Sequence, residues 1–459
     1  MDIRELVKKY EQDIINDTIE LASIRSVEEE PKEGMPFGEG PAKALQCALA
    51  IGDKYGFVTK NLDNYAGYIE MGQGEDIIGM LCHVDVVPEG IGWSSDPYKP
   101  EIRDGRIYGR GVGDNKGPAM VALAAMRAVR ELGVPLNKRI RFVLGANEET
   151  GFRCVKYYRE KEGGFTMGFS PDGAFPLVFG EKGLYNATLT MTLNGEDPKT
   201  VIKSITGGEA RNVVCPVCTV VLEGENLDAI KEGFEKYNGG NEAVKTKAAF
   251  ENGTLTLELT GRPSHGSAPQ FGVNSISYMI DFLKGYITDS PFVNMYSELI
   301  GLCFDGEKCG AKCGDQYGDL TMNIGIVYTE GNKASFTIDI RYPIIAHFPQ
   351  DVMEKAFTDA GCVIEHGKCD KPLFVDPESD FIKALHSSYV EVTGDTKSQP
   401  FTMGGGTYAK AFDNVVAFGM GFPGDTGGNA HMADESIAIS RFADGCEVYV
   451  RALLKLLEL

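Results

Sequence analysis

The sequence predicts an α/β fold, a mixed-sheet α/β/α domain interrupted by an inserted α+β domain. Three observations point there. Apolar runs such as 76–82 and 140–146 have the length and bounds of buried strands, and residues 119–132, apolar nearly all round, read as a buried helix between them. From Gly183 the pattern changes: Tyr185, Ala187, Leu189, Met191 and Leu193 alternate with Asn186, Thr188, Thr190 and Thr192, the mark of antiparallel strands with one wet face. From about Pro372 helices and buried apolar runs return. The expected organisation is therefore 1–183 and 372–459 as one domain, with 184–371 inserted. A chain of 459 residues with 43% hydrophobic content is long enough for two such cores.

In chain order, Ile3, Val7, Tyr10, Ile14, Leu21 and Ala22 share a helical face, which predicts one amphipathic helix over 2–22. The Gly- and Pro-bearing stretch 28–41 reads as a loop, followed by a helix through Leu49. Residues 68–71 and 76–83 are adjacent strands, and Pro88-Glu89-Gly90 closes that unit. The glycine-dense segment 109–118 matches neither the Walker spacing nor the dinucleotide fingerprint, so it reads as a tight turn presenting Asp114. Asp114 or Asn115 can cap the helix that follows, and Gly133 ends it. Inside the insert, Leu255, Leu257 and Leu259 form another alternating strand. Segments 320–328 and 334–342 pair as a hairpin around Gly331-Asn332, with Phe336, Ile338 and Ile340 on one side and Asp339 and Arg341 on the other. Helices are expected at 226–237, 274–286 and 350–360. A strand over 415–420 leads into a glycine-rich turn ending at His431, a second flexible turn lies at 403–409, and a helix over 435–456 closes the chain.

Composition excludes several functions. A formal charge of -21 offers no basic surface for nucleic acid or an anionic membrane. No apolar run reaches the ~18 residues needed to span a bilayer, and the N-terminus lacks a secretory pattern, so a cytoplasmic protein is expected. Eleven scattered cysteines read as reduced thiols. Cys215 and Cys218 have metal or redox spacing but lack the partners of a zinc knuckle, which leaves small buried side chains as the plainer account.

The chemistry gathers at turns after strands. His83 and Asp85, two apart at a strand end, share one face; a carboxylate there can orient an imidazole and raise its basicity. Asp114, the adjacent Glu148 and Glu149, Asp172 and His431 follow in similar places. Each alone is an ordinary turn residue or cap. Together His83, Asp114, Glu149, Asp172 and His431 supply two imidazoles and three carboxylates, a nitrogen and oxygen set that suits two divalent ions, Zn2+ or Mn2+.

The order His-x-Asp, Gly-x-Gly-x-x-Asp-x-Lys-Gly, Glu-Glu-x-Gly, Pro-Asp-Gly and Gly-x-x-His-x-x-x-Glu resembles the cocatalytic metallopeptidases, the family of carboxypeptidase G, tripeptidase T, carnosinase and the PepV-type dipeptidases. The PepV type is most similar, through the long insert and the Gly405-Gly406-Thr407-Tyr408 turn. The resemblance implies one ion on His83 and Asp172, another on Glu149 and His431, and Asp114 bridging. It implies Asp85 as the carboxylate orienting His83, and Glu148 as the general base toward a bridging water. In the insert, then a lid, His265 of the 261–267 motif would donate to the developing oxyanion, beside Asn212 of the 207–212 motif. Arg341 would grip the substrate carboxylate, and Gly405 and Thr407 would line the substrate site. Cys215 stands where the family's lid motif commonly has proline, which bears on loop rigidity more than on chemistry. The implied protein is a monomeric dipeptidase acting on small peptides with free termini. An amide deacylase of N-acyl amino acids is the alternative the same centre would serve; a non-catalytic peptide- or metal-binding protein would leave Glu148 without a task.

Overall fold

The computed structural model describes residues 2–459. The chain forms two compact units, one from the segments up to Gly180 and from Leu373 onward, the other from Glu181–Pro372. The first is built on a nine-stranded mixed sheet in the order Val58–Leu62, Ala66–Met71, Arg139–Gly145, Ile77–His83, Met167–Ser170, Val415–Ala417, Val178–Glu181, Leu373–Phe374, with Phe401–Met403 joined to Val178–Glu181. Its four central strands run parallel. All seven residues of Ile77–His83 are buried, which requires cover on both faces of the sheet and explains the unbroken apolar run. Close packing of the parallel strands selects glycine at two positions: a Cβ on Gly168 would lie 2.5 Å from the Gly79 carbonyl oxygen, and one on Gly79 would lie 2.6 Å from the Phe165 ring.

The helix Lys116–Leu132 ends, as expected, at Gly133 in the left-handed conformation (φ 68°), and packs against the closing helix Ser440–Glu458. Three boundaries differ from expectation. The opening helix is two, Ile3–Lys8 and Glu11–Ala22, because the chain turns at Lys9-Tyr10 and the second helix starts afresh. The next helix begins at Glu39, with Pro41 tolerated in its first turn where no intrahelical N–H is needed. The closing helix begins at Ser440 rather than 435, since Ser436–Ala438 is a strand paired with Arg106–Tyr108.

The second unit is an eight-stranded sheet, antiparallel throughout, in the order Lys245–Glu251, Thr254–Thr260, Val217–Gly224, Thr200–Gly207, Thr321–Glu330, Lys333–Tyr342, Gly183–Thr192, Val363–Asp370. Glu330 pairs with Lys333, so the two-residue turn is Gly331-Asn332, with Gly331 at φ 57°. The expected helices appear as Leu227–Glu235, Ser275–Leu283 and Gln350–Asp359; Pro291–Leu299, capped by Ser290, was not anticipated. Among the described residues no helix is long and apolar enough to cross a membrane. All eleven cysteines are free; burial pushes the Cys215 and Cys218 thiols up, the opposite of what a reactive thiolate needs.

Phe336 sits in the core of this second unit, with the rings of Phe292 and Tyr296 both 5.9 Å away. Phe336→Ala should lower the unit's unfolding free energy by about 3–5 kcal/mol, read as faster pulse proteolysis within 181–372.

Candidate active site

His83 ends its strand opposite Gly145, the last residue of the neighbouring parallel strand, so the segments after both strands emerge side by side at the carboxyl edge of the sheet. The imidazole is buried. Its Nδ1 lies 2.9 Å from the Asp85 backbone carbonyl, which directs Nε2 toward Asp114 Oδ1 at 2.9 Å and Asp172 Oδ2 at 3.8 Å. The Asp85 carboxylate is farther away, 3.6 Å from Nδ1. It accepts instead from the backbone N–H of Glu148 (2.9 and 3.0 Å) and of Glu149 (3.1 Å), and so shapes the turn that carries both glutamates. Sequence reasoning gave Asp85 the imidazole alone; in the fold its carbonyl orients His83 and its carboxylate holds the Glu148-Glu149 turn.

Asp114 stands at the end of the glycine-dense loop and spans two imidazoles, with Oδ1 on His83 and Oδ2 3.1 Å from His431 Nε2. Asn115 occupies the cap position of the following helix without making a side-chain cap bond; its Nδ2 donates to the Pro171 carbonyl at 2.8 Å and ties the Asp114 loop to the Asp172 turn. Lys116 is buried with Nζ donating to the Ile24 carbonyl, and burial lowers its pKa to about 7. Glu149 Oε2 lies 3.2 Å from His431 Nε2. His431 is half exposed and left-handed (φ 63°), as are Asn429 and Asp434 around it, a conformation uncommon outside glycine but most open to His, Asn and Asp.

The electrostatics are those of a site short of positive charge. Burial, then the like charge of Asp172, raises Glu148 well above the usual carboxylate range. Burial also raises Glu149, although the hydrogen bond to His431 opposes it. Burial would raise Asp114 too, but its bonds to His431 and His83 prevail and hold it low. His83 is buried, which alone would lower its pKa; Asp114, Asp172 and Asp85 overcome this and raise it. Bonds to Asp114 and Glu149 raise His431 to about 11.

These residues fit divalent cations. Donor atoms of His83, Asp114 and Glu149 lie within 4.8 Å of one another, as do those of His83, Glu148 and Asp172. Ligands about 2.1 Å from a tetrahedral ion stand about 3.4 Å apart, close to the separations of 2.9 to 3.8 Å among the imidazole and carboxylate atoms. Glu149 Oε1 is buried with no hydrogen-bond partner, an orphaned lone pair that a cation would use.

The remaining predicted residues fall in two places. In the first unit, Thr407 is buried and its hydroxyl accepts from the Ala409 N–H, and Gly405 lies half-buried two residues earlier. In the second unit, Asn212 and His265 are exposed and adjacent: Val213 and His265 form a β-bridge, and the Gly266 N–H donates to the Asn212 carbonyl at 2.6 Å. The Ser267 N–H donates to His265 Nδ1, and Asn323 Nδ2 holds the Arg211 and Val213 carbonyls. Arg341 and Asp339, though on the face opposite Ile338 and Ile340, are buried rather than solvated, with the guanidinium in a two-pronged bond to the Asp339 carboxylate at 2.8 and 3.2 Å.

Sequence reasoning missed Tyr408 as a support. Its ring lies edge-on to His83 with centroids 6.3 Å apart, and a Cβ on Gly145 would come within 2.1 Å of its hydroxyl, so the strand must end in glycine to admit it. A tyrosine two residues after a glycine triplet was the available signal. A cavity of about 400 Å3 opens beside Asp114 and Asp172, walled in part by Met420, Phe422 and Ile437.

A model of peptidase family M20/M25/M40 matches residues 79–455. The chain is 39% identical over 463 residues to YtjP of Bacillus subtilis (strain 168), provisionally named a dipeptidase, covering 98% of each chain. It is 35% identical over 467 residues to a similarly named protein of Staphylococcus saprophyticus, covering 99% of each. Among solved structures, human carnosine dipeptidase 1 is similar in fold with a TM-score of 0.60 at 15% identity, over 100% of this chain and 99% of that one. Aminopeptidase PepT of Bacillus cereus gives 0.58 at 17%, over 97% and 98%.

Replacing the carboxylate shared by both imidazoles should empty the cluster. Asp114→Asn is expected to cut the divalent metal retained per chain to less than half that of the unaltered protein, by elemental analysis, with an unchanged far-UV spectrum.

Proposed function

The chain belongs to peptidase family M20/M25/M40, and we propose that it is a dinuclear metallo-dipeptidase, hydrolysing dipeptides or short peptides with free termini. The observation that carries this reading is the placement of Glu148. It adjoins Glu149 in sequence and has its carboxylate within 4.8 Å of donor atoms on His83 and Asp172, yet it makes no ion pair with either imidazole in the way its neighbour does. A carboxylate held beside a cation cluster but spare to it can serve as a base. The dipeptidase names carried by the relatives support the same substrate class, as does a cavity with room for a small side chain next to two of the acids.

In this reading His83 and Asp172 would hold one ion and Glu149 and His431 the other, and Asp114 would serve both. Zn2+ or Mn2+, when bound, would supply Lewis acidity and lower the pKa of a water at the centre. Glu148 takes the proton of the attacking water and returns it to the departing amine, and Asp85 keeps the turn bearing Glu148 in place. His265 donates to the oxyanion of the tetrahedral intermediate, with Asn212 beside it on the adjoining loop. Arg341 meets the free carboxylate of the substrate, its guanidinium already oriented by Asp339, while the Gly405 and Thr407 turn lines the substrate site. The surplus of acids, with a net charge of -21, and the eleven unpaired cysteines accord with a cytoplasmic protein that takes no nucleic acid or membrane as partner, and the resemblance to members with a long insert accords with a monomer.

Glu148→Ala should keep its metal content while losing activity on dipeptides by about 10²- to 10⁴-fold. Undiminished turnover would remove Glu148 from the role of base. A panel setting dipeptides against N-acetyl and N-succinyl amino acids should show turnover only with the free amine; preference for the acylated compounds would make the chain a deacylase.

A further inference from the structure

Four residues beyond His431 lies an acid that the ligand set leaves out. Glu435 is 1% exposed, and the donors around its carboxylate all come from one segment. Oε2 accepts from Arg110 Nη1 at 2.7 Å and from the Gly111 N–H at 3.0 Å; Oε1 accepts from the N–H of Gly113 at 2.9 Å and of Asp114 at 3.0 Å. The Glu435 carbonyl accepts in turn from the Gly109 N–H at 3.0 Å. Arg110, itself buried, extends the network by donating to the Pro88 and Glu89 carbonyls and lying over the Trp93 ring.

We infer that Glu435 is a positioning residue that clamps the Asp114 loop to the His431 segment and thereby sets the geometry of the ion held by Glu149 and His431. The inference rests on the dinuclear reading above. Of the five proposed ligands only His83 lies in a strand; Glu149 and Asp172 stand on turns close behind strand ends, Asp114 and His431 on longer loops, and the loop of His431 is exposed and rich in glycine from 424 to 428. That loop returns to buried structure at Glu435, where one carboxylate collects three consecutive-loop amides and a guanidinium. Glycine at 111 lets the amides converge: a Cβ there would lie 2.7 Å from Val86 Cγ1, and Gly111 is left-handed at φ 83°. A neutral acceptor offers fewer and weaker bonds to the same donors than a carboxylate does. His83 needs no such clamp, because it ends a buried strand and its Nδ1 is already held. Loss of Glu435 therefore acts on the two ions unequally.

The test is calorimetric titration of the metal-stripped chain with Mn2+ alone and with Zn2+ alone. The unaltered protein should bind two equivalents. Glu435→Gln should bind the second about 10- to 100-fold more weakly and the first, which shares only Asp114 with the clamp, with a smaller loss, and the ion concentration giving half-maximal peptide turnover should rise by the larger factor. Glu435→Asp, which keeps the charge but shortens the reach by about 1.5 Å, should fall between the two and serves if the glutamine variant does not fold. Two equivalents bound to either variant with unaltered affinities, even at a lower melting temperature, would overturn the inference and leave Glu435 a purely structural acid. Failure of the unaltered chain to take two ions would instead overturn the dinuclear reading, and this inference with it.

Discussion

The structure of the first unit turns on a single carboxylate shared between two imidazoles. Asp114 faces His83 with one oxygen and His431 with the other, and these three residues come from the end of a central strand, a loop before a buried helix, and a segment more than 300 positions further on. Bringing several acids into one buried place is costly unless positive charge accompanies them. The fold meets that cost with donors at every anion it can reach: two backbone amides on Asp85, three amides and Arg110 on Glu435, imidazoles on Asp114 and Glu149. What is left over, the orphaned oxygen of Glu149, is the part a cation would satisfy, while Glu148 stays beside the cluster with its pKa raised by burial.

Much of this was legible in the residues. The run ending at His83 is a buried strand because it is apolar throughout, and the acids after it and after the strands ending at Gly145 and Ser170 gather at the carboxyl edge of the parallel strands. The five residues that converge were all identifiable by type and spacing. What stayed hidden was contact at a distance. Nothing local says that Asp85 would turn its carboxylate toward the amides of residues 148 and 149 rather than the imidazole beside it, since that choice depends on how the neighbouring strand ends. The burial of Arg341 and Asp339 stayed hidden for a related reason: alternation tells which residues share a face, and only the packing of the finished sheet tells whether the second face is wet. Likewise the helix thought to begin at 435 starts five residues later, because a short strand paired to Arg106–Tyr108 takes the chain first.

Local chemistry also explains where periodicity misled. The opening amphipathic pattern continues through Lys9 and Tyr10 although the helix does not, so the apolar stripe reflects burial of both short helices. Thr407 reads as a flexible turn residue, yet its hydroxyl starts a short helical turn that delivers Tyr408 to the space under His83, a space that exists only because residue 145 has no side chain.

The strand Val415–Ala417 lies in the middle of the nine-stranded sheet, bonded to Met167–Ser170 on one side and to Val178–Glu181 on the other. A ribosome making this chain must therefore release the whole of the inserted unit before the gap in the first sheet can be filled. Until then the nascent polypeptide carries two unsatisfied strand edges in the heart of its first domain, the kind of surface that invites aggregation. An insert closed on its own antiparallel sheet and its own core can fold during that interval without borrowing those edges. Completion of the sheet and delivery of His431 then belong to the same late event, so the ion proposed for Glu149 and His431 can be captured only by finished molecules.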